Sequence, residues 1–290
     1  MPNAQVGEPL LRDLARRAAE IRRDVVDAVY HGGSGHIGGA LSITDVLVAL
    51  YFHVMRFDPQ NLKWPDRDRL VMSKGHCCAA MYACLAMLGV FPRAELRGLR
   101  TTGHFLQGHP DMVKTPGVEF TGGSLGQGLS GSLGMALAGK LDKRDYRVYC
   151  IIGDGECHEG QIWEAAMSAS HHKLDNLCAV LDRNGLQIDG AVEDILSIEP
   201  IAKRWRSFGW HVIEIDGHDI DEILQALSVA KEIKGRPTLI VANTVKGKGV
   251  SFMEGSISFH GRAPNAEEYR KAMDELGDVL ARVERQGVTA

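Results

Sequence analysis

Two oxygen-bearing side chains stand where a divalent cation could be held. The apolar, β-branched run 148–152 passes directly into Gly153-Asp154-Gly155-Glu156. A strand ending in this way presents a carboxylate at the carboxyl end of a parallel sheet, where open α/β folds bind their ligands. The flanking glycines let phosphate oxygens approach the backbone, and a helix starting near Glu159 offers free N–H groups to an anion. A second apolar run, 177–181, ends at Asp182-Arg183-Asn184, about one parallel crossover further on. Asp154 and Asn184 then meet at two strand ends. A carboxylate, an amide oxygen and a backbone carbonyl form a hard donor set suited to Mg²⁺ or Ca²⁺, with diphosphate oxygens and a water to complete the shell. A Gly-Asp-Gly by itself is usually a turn. The asparagine at crossover distance is what makes it a candidate site.

Histidine is the other chemistry-bearing residue. Of the twelve present, His36, His76, His109 and His260 each adjoin a glycine, a context that bends the backbone and exposes the ring. Side chains that titrate near neutrality suit the movement of hydroxyl protons. The same four could be satisfied core residues. His31, His53, His171, His172 and His211 sit in helical or strand contexts and read as surface or core, whereas His104 and His158 fit either reading. The six cysteines form no C-x-x-C pair and lie mostly in apolar runs, as free thiols of a reduced protein do. Cys157 lies near the proposed site. A P-loop is nearly spelled by Gly134 to Lys140, but Leu141 stands where Ser or Thr must reach the metal, and the segment reads as helix interior.

The elements that must position these residues alternate. An amphipathic helix is expected over 9–30, from Leu10, Leu11, Leu14, Ala18, Ile21, Val25 and Val29, then a glycine-rich turn. Ser42 looks like the N-cap of a helix through about Met55. Strands are expected at 69–72, 148–152, 177–181, 212–215 and 239–245, with helices at 76–88, 125–140, 159–171, 197–208 and 219–233. The segment 266–286 reads as a surface helix. This alternation means α/β: a parallel sheet with helices on both faces, in one domain spanning 1–290. Thirty-three Lys and Arg against thirty-seven Asp and Glu leave a net charge of −4, with no basic face for nucleic acid. No apolar run is long enough to cross a membrane, and the N-terminus has no secretory signal. A cytoplasmic protein is the expectation.

The wider residue pattern resembles transketolase. It comprises Gly153 through Glu159-Gly160 to Asn184 and Gln187-Ile188-Asp189-Gly190, with Gly35-His36-Ile37-Gly38, Ser73-Lys74-Gly75-His76, Gly108-His109-Pro110, Thr121 to Gly128, and Lys246-Gly247-Lys248-Gly249 leading to His260-Gly261. One departure is Ile37, where the family commonly has proline. The resemblance implies the thiamine-diphosphate-binding fold and transfer of a two-carbon ketol unit between sugar phosphates. It implies that Asp154, Asn184 and the Leu186 carbonyl ligate the metal. It implies that His76, Gly123, Leu125, Gly153, Gly155, Glu156, Asn184, Ile188 and His260 line the cofactor. His36, His76, His109, His260 and Glu159 would be catalytic, Glu159 by linking paired sites across a subunit interface. The family's pyrimidine-binding and C-terminal domains are expected on a partner chain, in a heterotetramer built around a two-fold. The α-subunit of a 2-oxo-acid dehydrogenase or decarboxylase, and a deoxyxylulose-phosphate synthase, share the metal motif. The histidines and the Lys-Gly-Lys-Gly segment favour transketolase. A non-catalytic scaffold subunit is a further alternative.

Overall fold

The computed structural model describes residues 7–286. Five strands form one all-parallel sheet: β1 (Arg69–Met72), β2 (Val148–Gly153), β3 (Leu177–Arg183), β4 (His211–Asp216) and β5 (Thr238–Asn243). Their spatial order is β1-β2-β3-β5-β4. Side chains alternate along each strand. Tyr149, Ile151, Cys178, Val180, Ile240 and Ala242 enter one core. Val148, Cys150, Ile152, Leu177, Ala179, Leu181, Leu239 and Val241 enter the other. Both faces are therefore dry, which is why the central strands read as continuous apolar runs rather than alternating ones.

The first core is closed by α1 (Glu8–His31), α2 (Ile37–Ser42), α3 (Thr44–Ala49), α4 (Cys78–Met87), α9 (Ile220–Glu232) and α10 (Ala266–Gln286). The second is closed by α5 (Gln127–Leu141), α6 (Gly160–His171) and α8 (Ile201–Ser207), with the short α7 (Val192–Ile195) at its rim. In α1 the residues Leu14, Ala18, Ile21, Val25 and Val29 are buried, a stripe at helical spacing. Gly134–Lys140 lies inside α5, and Lys140 pairs with Asp175 at 2.6 Å, so no phosphate loop exists there.

Three expectations are corrected. Ser42 caps no helix: it is the last residue of α2, fully buried, and its hydroxyl donates to Asp182 and to the Gly39 carbonyl. The glycine-rich turn is shorter than expected, because Gly38 and Gly39 are helical. Gly39 is needed for close approach, since a Cβ there would lie 2.6 Å from Cys77 Sγ. The helix expected over 197–208 starts only at Ile201, because Pro200 removes an N–H and suits a helix start. The surface helix expected over 266–286 is present as α10, with one face turned to the core. It lies along α1, burying Ala272 and Leu276, with Tyr269 stacked on Tyr30 at 4.1 Å and bonded to Asp27.

Candidate functional site

All five strands end on one edge of the sheet, and each delivers residues there. Ser73 to His76 follow β1, Asp154 to Glu159 follow β2, Asp182 to Ile188 close β3, His218 follows β4, and Thr244 to Lys246 follow β5. Register sets the pairing: Gly153 lies opposite Asp182, and Asp182 opposite Ala242.

Asp154 is buried, 3% exposed, and accepts the Gly155 and Gly185 amides at 2.8 and 2.6 Å. Burial pushes its carboxyl up to about 6, and the neighbouring Asp182 charge adds to the rise, against the pull of the two amides and of Lys74. Asn184 donates its amide nitrogen to Asp182 at 3.1 Å, which turns Oδ1 towards the Leu186 amide at 3.2 Å. The Leu186 carbonyl accepts Lys246 Nζ at 3.0 Å. Among the described residues no three His, Cys, Asp or Glu side chains converge on a metal position. The candidate set is instead one carboxylate, one amide oxygen and one carbonyl, all hard donors. A cavity of about 320 Å³ opens beside Asp154, Asn184 and Gly185.

His36, His76, His109 and His260, scattered over the chain, come together. Ring centroids lie 5.1 Å apart for His36–His76, 5.4 Å for His36–His260, 5.5 Å for His76–His260 and 6.0 Å for His36–His109. His36 and His109 come from loops outside the sheet, after α1 and before α5. His36 Nδ1 is buried without a partner, as is Gln187 Nε2 beside Gly155. Orphaned buried polar atoms are rare in native proteins, and both fit a site shaped for a polar ligand. His260 Nδ1 accepts Lys246 Nζ at 2.8 Å, which leaves Nε2 as the protonated nitrogen.

Burial is the first cause of depressed basicity throughout this cluster. It holds His36 down at about 4, with Arg100 and His109 adding, and His260 at about 3, with Lys246 adding. His76 is well below its ordinary value and His109 is lowered. All four rings are neutral at pH 7. Because these folded values lie below the ordinary 6.5, the unfolded chain binds more protons as pH falls through that value. Their contribution to stability is complete above 6.5 and is lost on acidification. The thermal midpoint of the isolated chain should fall between pH 7 and pH 5, and fall less in a His36→Asn, His260→Asn double variant. Scanning calorimetry at both pH values checks this.

Several expected residues occupy other places. Glu156 faces inward: its carboxylate accepts Ser73, the Gly126 amide at 2.8 Å and the Gly153 amide at 2.9 Å, so it ties three loops together. These bonds engage both of its carboxylate oxygens, so the side chain holds the loops around the candidate site in place. Gly123, at a φ of 149°, sits against His109, and Leu125 is half-buried. Ile188 is 65% exposed. Glu159 is exposed at the start of α6. His104 binds Glu95 and His158 the Leu196 carbonyl, so both are loop fasteners. All six cysteines are free and buried, and burial raises the Cys157 thiol, leaving it unreactive.

Sequence reasoning assigns no role to Lys74, Asp182, Lys246 or His218. Lys74 and Asp182 form a buried ion pair, 2% and 0% exposed at the side chain. Asp182 also accepts Ser42, Thr244 and Asn184. The signals available are proximity ones: Lys74 stands two residues before His76, and Asp182 two before Asn184.

This arrangement defines a thiamine diphosphate binding domain, and comparison with known proteins agrees. The family model described as the transketolase thiamine diphosphate binding domain matches residues 14–281. The chain belongs to the transketolase family. It is 49% identical to the 6-deoxy-6-sulfo-D-fructose transketolase subunit SqwG of Clostridium sp. (strain MSTE9), covering 91% of this chain and 96% of that one. It is 44% identical to one of the subunits of the apulose-4-phosphate transketolase of Phocaeicola vulgatus, covering 91% and 94%. The transketolase structure from Leishmania mexicana superposes with a TM-score of 0.85 at 33% identity, covering 96% of this chain and 44% of that longer one. These matches select transketolase over the 2-oxo-acid dehydrogenase reading. No described helix is long and apolar enough to cross a membrane.

Proposed function

We propose that this chain holds the diphosphate end of thiamine diphosphate, through Mg²⁺ or a similar hard cation, in a transketolase whose remaining domains lie on a partner subunit. The observation that carries this is the meeting of the Asp154–Asn184–Leu186 donor set with four neutral histidines at one sheet edge. Thiamine diphosphate, when bound, supplies the nucleophilic carbon and the electron sink for cleaving a ketose. The residues of this chain bind, orient and move protons. Asp154, Asn184 and the Leu186 carbonyl fit the cation. Lys246 Nζ, lowered to about 8 chiefly by burial and next by Lys74, lies by Leu186 and His260 as a cation for diphosphate. Gly153 and Gly155 leave room for phosphate oxygens. His76, Gly123, Leu125 and Ile188 stand around the cofactor.

The reaction breaks the C2–C3 bond of a ketose and forms a new C–C bond to the aldehyde carbon of an acceptor. A proton leaves the donor's C3 hydroxyl and another reaches the acceptor's new hydroxyl. His36 Nδ1, buried and unpartnered, can take or return such a proton, while His260 Nε2 and His109 can hydrogen-bond the sugar's oxygens. Such groups contribute about 10²–10⁴-fold each. Relatives whose whole length this chain nearly matches are named for 6-deoxy-6-sulfo-D-fructose or apulose-4-phosphate, each as one part of a transketolase. They support a ketose donor bearing a terminal phosphate or sulfonate, an aldose phosphate acceptor, and a partner carrying the pyrimidine-binding and C-terminal domains. Assembly around a two-fold would place the exposed Glu159 against another protomer. Free buried cysteines fit a cytoplasmic setting.

The test is ketol transfer by the tagged chain purified gently from its native cells, with thiamine diphosphate, Mg²⁺ and a ketose phosphate or sulfonate. Activity before a wash that strips partners, and none after it, is the expected result. Full transfer by the stripped chain overturns the partner requirement, and no transfer at either stage overturns the enzyme reading for these donors.

A further inference from the structure

We propose that His218, on the loop after β4, is a positioning residue that fixes Lys246, and through it the Leu186 carbonyl and His260. The inference rests on the functional reading above for its consequence, though not for its geometry. Each ring nitrogen of His218 has a defined partner. The Val245 amide donates to Nε2 at 2.8 Å, so Nδ1 carries the proton and donates to Asp45 Oδ2 at 2.8 Å. Asp45 is itself gripped by Arg22, at 2.9 Å to Oδ1 and 2.6 Å to Oδ2. The Arg22 and Asp45 side chains are only 9% and 7% exposed. A buried, doubly bonded carboxylate fixes both the tautomer and the orientation of an imidazole, so Nε2 is aimed at one place: the amide of Val245, the residue before Lys246.

The Val245 amide has His218 as its partner, while the backbone around it is tied elsewhere: the Thr244 amide donates to the Arg183 carbonyl at 3.1 Å, the Val245 carbonyl accepts the Lys248 amide at 3.2 Å, and the Lys246 carbonyl accepts the Gly255 amide at 2.9 Å. Val245 is 37% exposed, so its side chain contributes little apolar anchoring. Its neighbours are held by polar contacts at both ends: Thr244 donates to Asp182, and the Gly247 amide donates to the Gly38 carbonyl at 2.9 Å. Lys246 then reaches the Leu186 carbonyl at 3.0 Å and His260 at 2.8 Å. A line of bonded groups thus runs from Arg22 in α1 through Asp45 and His218 to the candidate site. Removing the acceptor for Val245 leaves that amide unpaired and loosens, at this one point, the backbone from which Lys246 projects. His218 touches none of the candidate metal ligands, so its effect is transmitted rather than direct. It also borders a cavity of about 690 Å³ between α1 and α10, so its substitution need not disturb the packed core.

Two variants separate positioning from structural support. His218→Gln puts a carbonyl oxygen near the place of Nε2, keeping an acceptor for Val245 but taking the donor from Asp45. His218→Asn puts an amide nitrogen near the place of Nδ1, keeping the donor to Asp45 but leaving Val245 unpaired. In the enzyme assembled with its partner, His218→Asn should lower kcat for ketol transfer by roughly 10–100-fold, the range for outer-shell partners. His218→Gln should stay within a few-fold of wild type even though it melts lower. In the isolated chain, amide exchange over 244–250 should quicken in the Asn variant only. Activity that follows melting temperature, with Gln the worse variant, or equal exchange in both, overturns the proposal. If the wild-type assembly transfers no ketol unit, the functional reading fails, and the exchange comparison alone still decides this inference.

Discussion

Asp154→Ala should remove ketol transfer from the assembled enzyme, by more than the ~10–100-fold expected of an outer-shell change, and should remove metal-dependent binding of thiamine diphosphate by the chain. The reason lies in the local electrostatics. A carboxylate 3% exposed, raised to about 6 by burial and then by Asp182, is poorly satisfied by two amides and the Lys74 field. A divalent cation turns that unfavourable arrangement into the strongest local attraction. Asp154→Asn separates charge from shape. It retains an oxygen for one of the Gly155 and Gly185 amides, so it should fold at least as well as Asp154→Ala, which leaves both without their acceptor at about 1–3 kcal/mol each. Its transfer activity should still be lost, because an amide brings no charge to the cation. Isothermal titration of thiamine diphosphate with and without Mg²⁺, beside the transfer assay, reads both effects. Transfer surviving in both variants would mean that the chain serves as a scaffold and that the partner does the chemistry.

The parts of this site that depend on local order are legible in the sequence. Strand ends are written in apolar runs that stop at Gly-Asp-Gly or Asp-Arg-Asn, so Asp154 and Asn184 stand out at once. A parallel sheet then places consecutive strand ends side by side, and β2 and β3 are indeed neighbours. The histidines are visible one by one through their glycines, but their meeting is implied only by resemblance, since His36 and His260 are brought together by tertiary folding. Ser42 misleads because serine before a helical pattern normally caps it. Its hydroxyl goes instead to Asp182, 140 residues away. Glu156 also makes ties beyond its own loop, since its carboxylate accepts amides from β2 and from the start of α5. Lys74, Asp182 and His218 have no local signature of burial. A lysine or aspartate in sequence reads as surface, and only long-range pairing makes its burial tolerable. Their partners are 108 residues away for Lys74–Asp182 and 173 for Asp45–His218.

The Lys74–Asp182 pair should therefore show the largest stability effect of any single polar change in the chain. Burial alone would neutralise both groups. Instead Asp182 is lowered by the Lys74 charge, the bond to it and the hydroxyls of Ser42 and Thr244, while Lys74 is raised chiefly by Asp182, against the opposing effect of its own burial. The two shifts agree in direction: each partner keeps the other charged. Removing one leaves a bare charge in the core, at about 3–5 kcal/mol. Lys74→Met should accordingly lower the melting midpoint by about 10 °C or more, taking ~2–4 °C per kcal/mol for a domain approaching this size. Asp182→Asn alone should cost a similar amount, for it strands the ammonium. The double variant Lys74→Met, Asp182→Asn should recover most of the loss, because paired removal can be nearly neutral, and the cycle gives the coupling between the two sites directly. Activity should not recover with stability. Asp182 orients the Asn184 amide at 3.1 Å, and an asparagine there can present nitrogen as readily as oxygen, so Oδ1 of Asn184 is no longer held towards the candidate cation. A double variant that regains its melting temperature but not its ketol transfer would show that this buried pair serves the site as well as the fold. If stability and transfer return together, the pair is structural alone.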